Sequence, residues 1–235
     1  MINPHPKDLS KSPILVGFFV SRICSYIPVM KRYIPLLALL LTSLLYPQSK
    51  MDINNLIERN GLLYTLNDNK PYTGKVFSFN EKGHKESEMT YKNGKQDGLF
   101  TYWHENGKKK WEGSVNDGKP DGLLISWNER GQKTVEETYK DGKQDGKLTF
   151  FYENGQKELE ETYKDGKKNG LSIGWNESGQ KWTIGTYKDG KKDGKWTYWH
   201  ENGQKELEGT YKDGELMVGK HWDENGNLIL TVPPQ

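Results

Sequence analysis

The sequence predicts an all-β fold, an elongated antiparallel β-meander of 24-residue β-hairpin repeats that follows an N-terminal signal or anchor segment. One observation behind this prediction is the lean composition: only 33% of the 235 residues are apolar, against roughly 45–50% in ordinary globular domains. The other is repetition, since glycines and aromatic residues recur every 24 residues. Stacked repeats need only a small core, because each unit packs mainly on its neighbours.

Residues 1–49 have the pattern of an export leader. A basic pair precedes the apolar run Ile34–Leu45. This run matches the central region of a signal peptide and is shorter than the roughly 20 residues that span a bilayer. We expect translation to start at Met30 and cleavage to fall near Ser49. A start at Met1, with the leader kept as an uncleaved anchor, is the alternative.

Residues 50–73 are predicted to form an N-terminal cap. Asp52–Arg59 is predicted as a short helix, and Gly61–Leu66 as an extra strand that leads into the first repeat. Terminal units of a repeat array are commonly irregular, because one of their sides has no neighbouring unit. We therefore separate this segment from the regular repeats.

The repeat domain spans residues 74–226 and consists of strands joined by two kinds of turn. Asn-Gly and Asp-Gly pairs favour two-residue hairpin turns, in which both central residues have positive φ. The glycines of these turns are Gly94, Gly118, Gly142, Gly166, Gly190 and Gly214. A second set, from Gly83 to Gly203, marks the opposite turns. A third, from Gly98 to Gly194, predicts either a kink or an aromatic ring lying flat on the backbone.

Between the turns, side chains alternate with the two-residue period of a strand. Leu159 and Tyr163 point to one side of their strand, and Glu160 and Thr162 to the other. A single sheet leaves its aromatic rows partly uncovered, so we expect an aromatic face to bind a partner. That face is predicted to comprise Trp103, Trp127, Phe151, Trp175, Trp199, Tyr139, Tyr163, Tyr187 and Tyr211.

Residues 227–235 are predicted as a C-terminal cap and tail. Leu228–Val232 has the composition of a last strand, and Pro233 and Pro234 follow it. Proline blunts an open sheet edge, because it cannot donate a backbone hydrogen bond. We therefore expect the sheet to end here.

One repeat, Tyr187–Lys205, reads Tyr-Lys-Asp-Gly-Lys-x-Asp-Gly-x-x-x-x-Trp-x-Glu-Asn-Gly-x-Lys. This pattern resembles the MORN-type repeat, in the variant form typical of the YwqK family of antitoxins, and the resemblance covers about residues 61–230. It implies a single-layer β-meander with an aromatic groove that binds proteins or, in some members, membrane lipids. The antitoxin role implies a cytoplasmic protein that blocks a toxin, whereas this chain carries an apparent export leader.

Charge and residue types argue against several functional classes. The net charge is +2, and residues 1–49 hold five basic and one acidic side chain, so the repeats lack the basic face that nucleic acid requires. The histidines have no metal-ligand spacing to one another or to Cys24, the single cysteine. Turn preference explains the Asp-Gly pairs better than calcium binding does. We predict no enzymatic activity, no metal, no cofactor and no nucleic-acid partner.

The sequence therefore predicts a non-enzymatic scaffold that binds an unidentified protein through its aromatic face and is a monomer. The leader predicts export to the periplasm, the outer envelope or the extracellular space. One alternative is peripheral binding to a membrane surface through the same face, which the nearly neutral repeats do little to favour. The other is a cytoplasmic antitoxin that neutralises a toxin by direct binding, and it requires that the leader does not function.

Overall fold

The structure, a computed structural model, describes residues 50–233. The chain divides into two units between Gln48 and Ser49. The predicted leader, its start at Met30 and its cleavage position lie outside the described residues. Within residues 50–233, almost every segment between turns is a β-strand, as the repeat pattern predicts.

The described part of the chain forms nineteen strands. In chain order they are β1 (Lys50–Asp52), β2 (Leu56–Arg59), β3 (Leu62–Thr65), β4 (Gly74–Phe79), β5 (Lys85–Lys92), β6 (Lys95–Trp103), β7 (Lys109–Asn116), β8 (Lys119–Pro120), β9 (Gly122–Trp127), β10 (Lys133–Lys140), β11 (Lys143–Phe151), β12 (Lys157–Lys164), β13 (Lys167–Trp175), β14 (Lys181–Lys188), β15 (Lys191–Lys192), β16 (Gly194–Trp199), β17 (Lys205–Lys212), β18 (Glu215–Trp222) and β19 (Leu228–Val232).

Seventeen of these strands form one sheet, and β2 and β3 form a separate hairpin. From β4 to β19 the sheet is an antiparallel meander in chain order. At two places in the meander a strand is divided into two short segments. β8 and β9 both pair with β7, and β15 and β16 both pair with β14. β1 pairs parallel with β4 at one edge of the sheet, and β19 forms the other edge.

The Asp-Gly turns close each hairpin and also join it to the preceding unit. Between β12 and β13, Asp165 has φ 49° and Gly166 has φ 83°. Positive φ at both residues gives the backbone a twist that matches the flanking strands. The Gly166 amide donates to the Gln144 carbonyl of the preceding unit at 2.8 Å, and the equivalent bond recurs from Gly94 to Gly214.

The opposite loops form a second line of contacts between units. The Tyr152 amide donates to the Gln156 carbonyl at 2.9 Å, which closes the loop. The Asn154 side-chain amide then donates to the Glu177 carbonyl of the next unit at 2.8 Å. Asn106 and Asn202 make the equivalent bonds. Each unit is therefore held to its neighbour at both ends of its strands.

The glycines before the aromatic strands are kinks. Gly146 has φ 126°, and a Cβ atom there would lie 3.0 Å from Thr138 Cβ on the preceding strand. Rings lie on backbone at other glycines. The Phe100 ring covers Gly113, and the Trp196 ring covers Gly185. The sequence left open whether these glycines mark kinks or places where a ring lies on the backbone. Both features occur, but at two different sets of glycines.

The cap differs from its prediction. Asp52–Arg59 is not a helix but a 3₁₀ turn, Ile53–Asn55, followed by β2. The reason is a turn at Asn60 and Gly61, with φ 52° and 75°, which folds β2 back on β3. An Asn-Gly turn favours a hairpin, and the apolar residues on both sides of it then pair as strands.

The most buried apolar side chains of the sheet lie on one of its two sides. Val76 pairs with Met89, which pairs with Phe100, and directly paired residues share a side. Val76 is fully buried, and Phe100, Leu148 and Trp196 are at most 9% exposed. A sheet without a second layer therefore builds its core by crowding large side chains on one side.

Candidate binding faces

The nine aromatic residues predicted to form one face lie on two opposite faces. Gly146 pairs directly with Tyr163 and shares its side, whereas Phe151 lies five residues further along the same strand and points to the other side. The same offset recurs in the other units, so the prediction of a single aromatic face is wrong. We call the two sides the tyrosine face, with Tyr139, Tyr163, Tyr187 and Tyr211, and the tryptophan face, with Trp103, Trp127, Phe151, Trp175 and Trp199.

On the tryptophan face, lysine side chains cover four of the five rings. Lys85 Nζ lies 4.7 Å from the centre of the Trp103 ring, and Lys157 Nζ lies 5.8 Å from that of Trp175. Lys109 and Lys133 occupy the equivalent positions over the next rings. An ammonium group over an aromatic ring is attracted by the ring quadrupole. The rings of this face therefore present charge to the solvent as well as apolar surface.

The same lysines pair with glutamates on the tryptophan face. A bulge in β5 places Lys85 and Glu88 on one side, although they are three residues apart. Glu88 accepts hydrogen bonds from Lys85 and, at 2.9 Å, from Lys75. These bonds, the one from Lys85 first, lower the pKa of Glu88 to about 2. Pairs at Lys109–Glu112, Lys133–Glu136, Lys157–Glu160 and Lys205–Glu208 continue the row.

On the tyrosine face, rings pack on one another. The Trp196 side chain is 2% exposed, and its ring centre lies 5.0 Å from that of Tyr187 and 5.9 Å from that of Tyr198. Its indole nitrogen donates to the Thr186 carbonyl at 2.9 Å. Lys192 Nζ lies 4.7 Å from the Trp196 ring and covers the cluster from outside. This end of the face is therefore a closed aromatic core.

One carboxylate is buried on the tyrosine face. The Glu161 side chain is 5% exposed and pairs with Lys168 at 2.6 Å. It also accepts hydrogen bonds from the Tyr163 hydroxyl at 3.1 Å and the Ser172 hydroxyl at 3.4 Å. Burial, and then the charge of Glu161, raise the pKa of Tyr163 to about 12. The phenol therefore stays protonated at neutral pH and continues to donate to the carboxylate.

Comparison with known families decides the nature of these units. The model of the MORN repeat variant matches residues 72–93, 96–117, 144–165 and 192–213. The chain is a MORN-type repeat protein. The intervening segments, 120–141 and 168–189, form the same hairpins in the sheet. The MORN-type units therefore run without a break through the described sheet.

Other comparisons add no functional information. No similar protein was found among curated proteins. Among solved structures, a chain of the "Crystal structure of GtfA/B complex bound to UDP and GlcNAc" is 12% identical, and the match covers 49% of this chain and 23% of that one. The match thus spans under a quarter of that chain, and its TM-score is 0.23.

The MORN-type units alternate in one position on the tyrosine face. The residue before the aromatic that ends the strand is aromatic in three of the four matched units. It is small in the first matched unit, where it is Ser78, and in the two units between the matches. After Ser78, these residues are in order Tyr102, Ser126, Phe150, Gly174 and Tyr198. A small residue leaves room for a neighbouring side chain, since a Cβ atom at Gly174 would lie 2.5 Å from the Trp182 ring. Successive units therefore interlock large side chains with small ones.

A continuous row of uncharged residues crosses the tyrosine face, and sequence reasoning did not identify it. We call it the apolar row. Each of its members pairs directly with the next: Tyr102, Trp111, Ser126, Val135, Phe150, Leu159, Gly174, Thr183, Tyr198 and Leu207. The signal was the aromatic residue just before Trp103, Phe151 and Trp199, which points to the side of the strand opposite those rings. Successive members of the row are separated by 9 and 15 residues in alternation, so only the pairing of strands reveals the row.

One unit interrupts the charged pattern of the others. In β14, Trp182 occupies the position held by Glu158 in β12, and Ile184 the position held by Glu160. Trp182 is 44% exposed beside the apolar row. Ile184 stands where the other units have the glutamate of the lysine–glutamate row on the tryptophan face. This unit is therefore the most apolar part of the repeat array on both faces.

Two histidines, His104 and His200, bridge neighbouring units. Both side chains are half-buried. The ring Nε2 atoms lie 2.8 and 2.9 Å from the carbonyl oxygens of Trp127 and Trp222 in the next unit. Within residues 50–233, no group of three or more His, Cys, Asp or Glu side chains is arranged to hold a metal ion.

The aspartates that precede the kinked glycines form ion pairs with the lysine before the next Asp-Gly turn. Asp145 pairs with Lys164 at 2.7 Å, and Asp193 pairs with Lys212 at 2.8 Å. These contacts, together with turn preference, account for the recurrence of aspartate near the hairpins. In the part of the chain that the structure describes, no helix is long and apolar enough to cross a bilayer.

Proposed function

We propose that this MORN-type protein is a non-enzymatic scaffold that binds a protein partner through the tyrosine face, along the apolar row. The single observation that carries the proposal is the row itself, an unbroken line of ten uncharged positions across the sheet. The centres of protein interfaces are depleted of charge and enriched in aromatic anchors. Tyr102 and Trp182, with exposed fractions of 36% and 44%, supply such anchors.

The tryptophan face is less suited to this role. Its rings are covered by lysines that are themselves paired with glutamates. A partner that used Trp103 or Trp175 as an anchor would have to displace Lys85 or Lys157 and expose paired charges. Displacing paired charges costs free energy. No member of the apolar row is charged, and Lys192, which lies over the Tyr198 ring, reaches only one end of the row.

A pull-down with matched variants tests the choice of face. Crosslinking capture with the double variant Tyr102→Ala and Trp182→Ala is expected to lose the partner retained by the unmodified protein. The double variant Trp127→Ala and Trp175→Ala, on the tryptophan face, is expected to retain it. Circular dichroism must show both variants folded. Loss by the tryptophan-face variant alone would reverse the assignment, and retention by both would remove the proposal.

Export is part of the proposal, and its support is the basic pair and apolar run before residue 50. An alkaline phosphatase fusion after residue 50 is expected to be active, because the enzyme gains activity only outside the cytoplasm. An inactive fusion would instead support the YwqK-like alternative, in which a cytoplasmic antitoxin binds a toxin.

Membrane binding is the weaker alternative. The lysines over the tryptophan rings pair with glutamates, so this face has little net charge to attract anionic lipid. Flotation of the protein with vesicles of anionic lipid is therefore expected to leave the protein in the unbound fraction. A floated fraction that is lost in the variant Trp127→Ala and Trp175→Ala would establish the membrane role.

A further inference from the structure

The two edges of the sheet differ in chemistry. At the first edge, β1 has only three residues, and two of them are charged, Lys50 and Asp52. At the last edge, β19 has five residues and no charge. Edge strands are usually protected by charge, by proline within the strand or by a covering segment. β19 carries none of the side chains that provide such protection, and Pro233 follows it.

The outer side of β19 is apolar and accessible. Leu228, Ile229 and Leu230 are 55%, 59% and 55% exposed. Among the described residues, β19 pairs only with β18. Its outer backbone groups therefore lie next to three accessible apolar side chains, which is the arrangement that favours the addition of another strand.

The repeat shows what a strand in this position normally contacts. Leu230 has the place in its unit that Leu159 has in β12. Leu159 pairs on its other side with Gly174 of the following strand, and Glu161 with Ser172. β5, β7, β10, β14 and β17 likewise pair with the strand that follows each of them. β19 is the one described strand of this type that has no following strand.

We propose, in place of the monomer that the sequence predicts, that two copies of this chain pair through β19, antiparallel and with Leu230 of one copy opposite Leu230 of the other. This register overlaps all five residues of both strands. It places Leu228 opposite Val232 and Ile229 opposite Thr231, so no charged side chain enters the contact. The arrangement has a two-fold axis perpendicular to the sheet, and such closed symmetry is the commonest form of a homodimer.

The partner is a second β19 and not the first edge of another copy. Pairing β19 with β1 would set Lys50 and Asp52 against a strand of apolar residues, and only three residues of β1 are in extended conformation. That head-to-tail arrangement also leaves free edges at both ends, so it would continue into a filament. Pairing β19 with β19 buries the apolar edges of both copies at once.

The same register aligns the tyrosine faces of the two copies. Leu207, the last member of the apolar row, pairs with His221, which pairs with Leu230. A two-fold axis perpendicular to the sheet keeps corresponding faces on the same side. The apolar rows of both copies would thus meet at Leu230. The pairing itself depends only on the edge strand and not on the proposed function.

Oxidative crosslinking of the full chain tests the register. On a Cys24→Ser background, Leu230→Cys is expected to give a disulfide-linked dimer, since opposite residues of antiparallel strands have Cα atoms about 4.5–5.5 Å apart, within disulfide range. Leu228→Cys, which would lie four positions from its copy, and Leu66→Cys, equally exposed at 55% but outside the sheet, are expected to give none. No dimer with Leu230→Cys, or equal yields at all three positions, would overturn the proposal.

A charge exchange provides a second test. Leu230→Lys and Leu230→Glu should each abolish co-capture of two differently tagged copies, because like charges directly opposite each other repel. Mixing the two variants should restore it, because the opposing charges then attract. The control Leu66→Lys should leave co-capture unchanged. Co-capture that persists in each single variant, or that mixing fails to restore, contradicts a Leu230-centred pair.

Discussion

The two faces of the sheet bury their aromatic rings in different ways. On the tyrosine face the rings pack on each other and on glycine backbone, as Trp196 does on Tyr187 and Gly185. On the tryptophan face the rings lie under lysines that are paired with glutamates, as Trp103 lies under Lys85. A single sheet has no second layer, so each face must limit its own contact with water. The tyrosine face does this mainly with packing, although Lys168 and Lys192 also lie over some of its rings. The tryptophan face does it mainly with charge.

Two adjacent glutamates show how the face of the sheet determines the surroundings of a side chain. Glu160 and Glu161 differ by one position and point to opposite sides. Glu160 pairs with Lys147 and Lys157, both of which are mostly solvated. Glu161 lies among a tyrosine, a serine and the partly covered Lys168. Ion pairing lowers the pKa of Glu160, whereas burial on the other face raises the pKa of Tyr163. We therefore expect packing to contribute most of the stability on the tyrosine face. On the tryptophan face we expect most of it to come from ion pairs that are screened by solvent.

The largest difference between the faces should come from removing a ring. Trp196→Ala is expected to lower the free energy of unfolding by about 3–5 kcal/mol, because it empties a buried site. Trp199→Ala, on the tryptophan face, should cost only about 1 kcal/mol, because part of that ring already contacts water. Urea unfolding followed by circular dichroism measures both. Equal losses would contradict the assignment of the main core to the tyrosine face.

An intermediate difference is expected from removing one lysine on each face. Lys168→Met leaves the buried Glu161 carboxylate with only hydroxyl partners, and should cost about 2 kcal/mol. Lys147→Met leaves Glu160 paired with Lys157, and should cost less than about 1 kcal/mol. The same urea experiment applies. A larger loss for Lys147→Met would mean that charge, and not burial, controls both faces.

The smallest effect on stability is expected from lowering the pH. Folding lowers the pKa of Glu88 from 4.5 to about 2, so its contribution to stability is present above pH 4.5 and is lost as the pH falls towards 2. Glu88→Gln should therefore be less stable than the unmodified protein at pH 7, by less than about 1 kcal/mol, and the difference should shrink towards pH 2. The exposed Glu81→Gln is the control and should show no such trend. A difference that persists unchanged at pH 2 would exclude the ion pairs as its source.

Local patterns predicted much of the fold. Asp-Gly pairs specify their own backbone conformation, and the 24-residue spacing of glycines and aromatics specifies repeated hairpins. The cap was predicted less well, because Asp52–Arg59 contains no strong local signal of its own. Its second half, Leu56–Arg59, forms a strand through pairing with Leu62–Thr65. The candidate site was predicted only in part. Its residue types were identified, but they were assigned to one face.

The sequence by itself determined the repeat, its turns and its membership of the MORN-type family, because these depend on short segments of chain. The tertiary structure decided which side chains share a face. Tyr163 pairs with Gly146, and Phe151 lies five residues beyond Gly146 on the same strand, so the two aromatic residues point to opposite sides of the sheet. Tyr102 and Leu207, far apart in the chain, belong to one row because the pairing of the strands between them aligns its members.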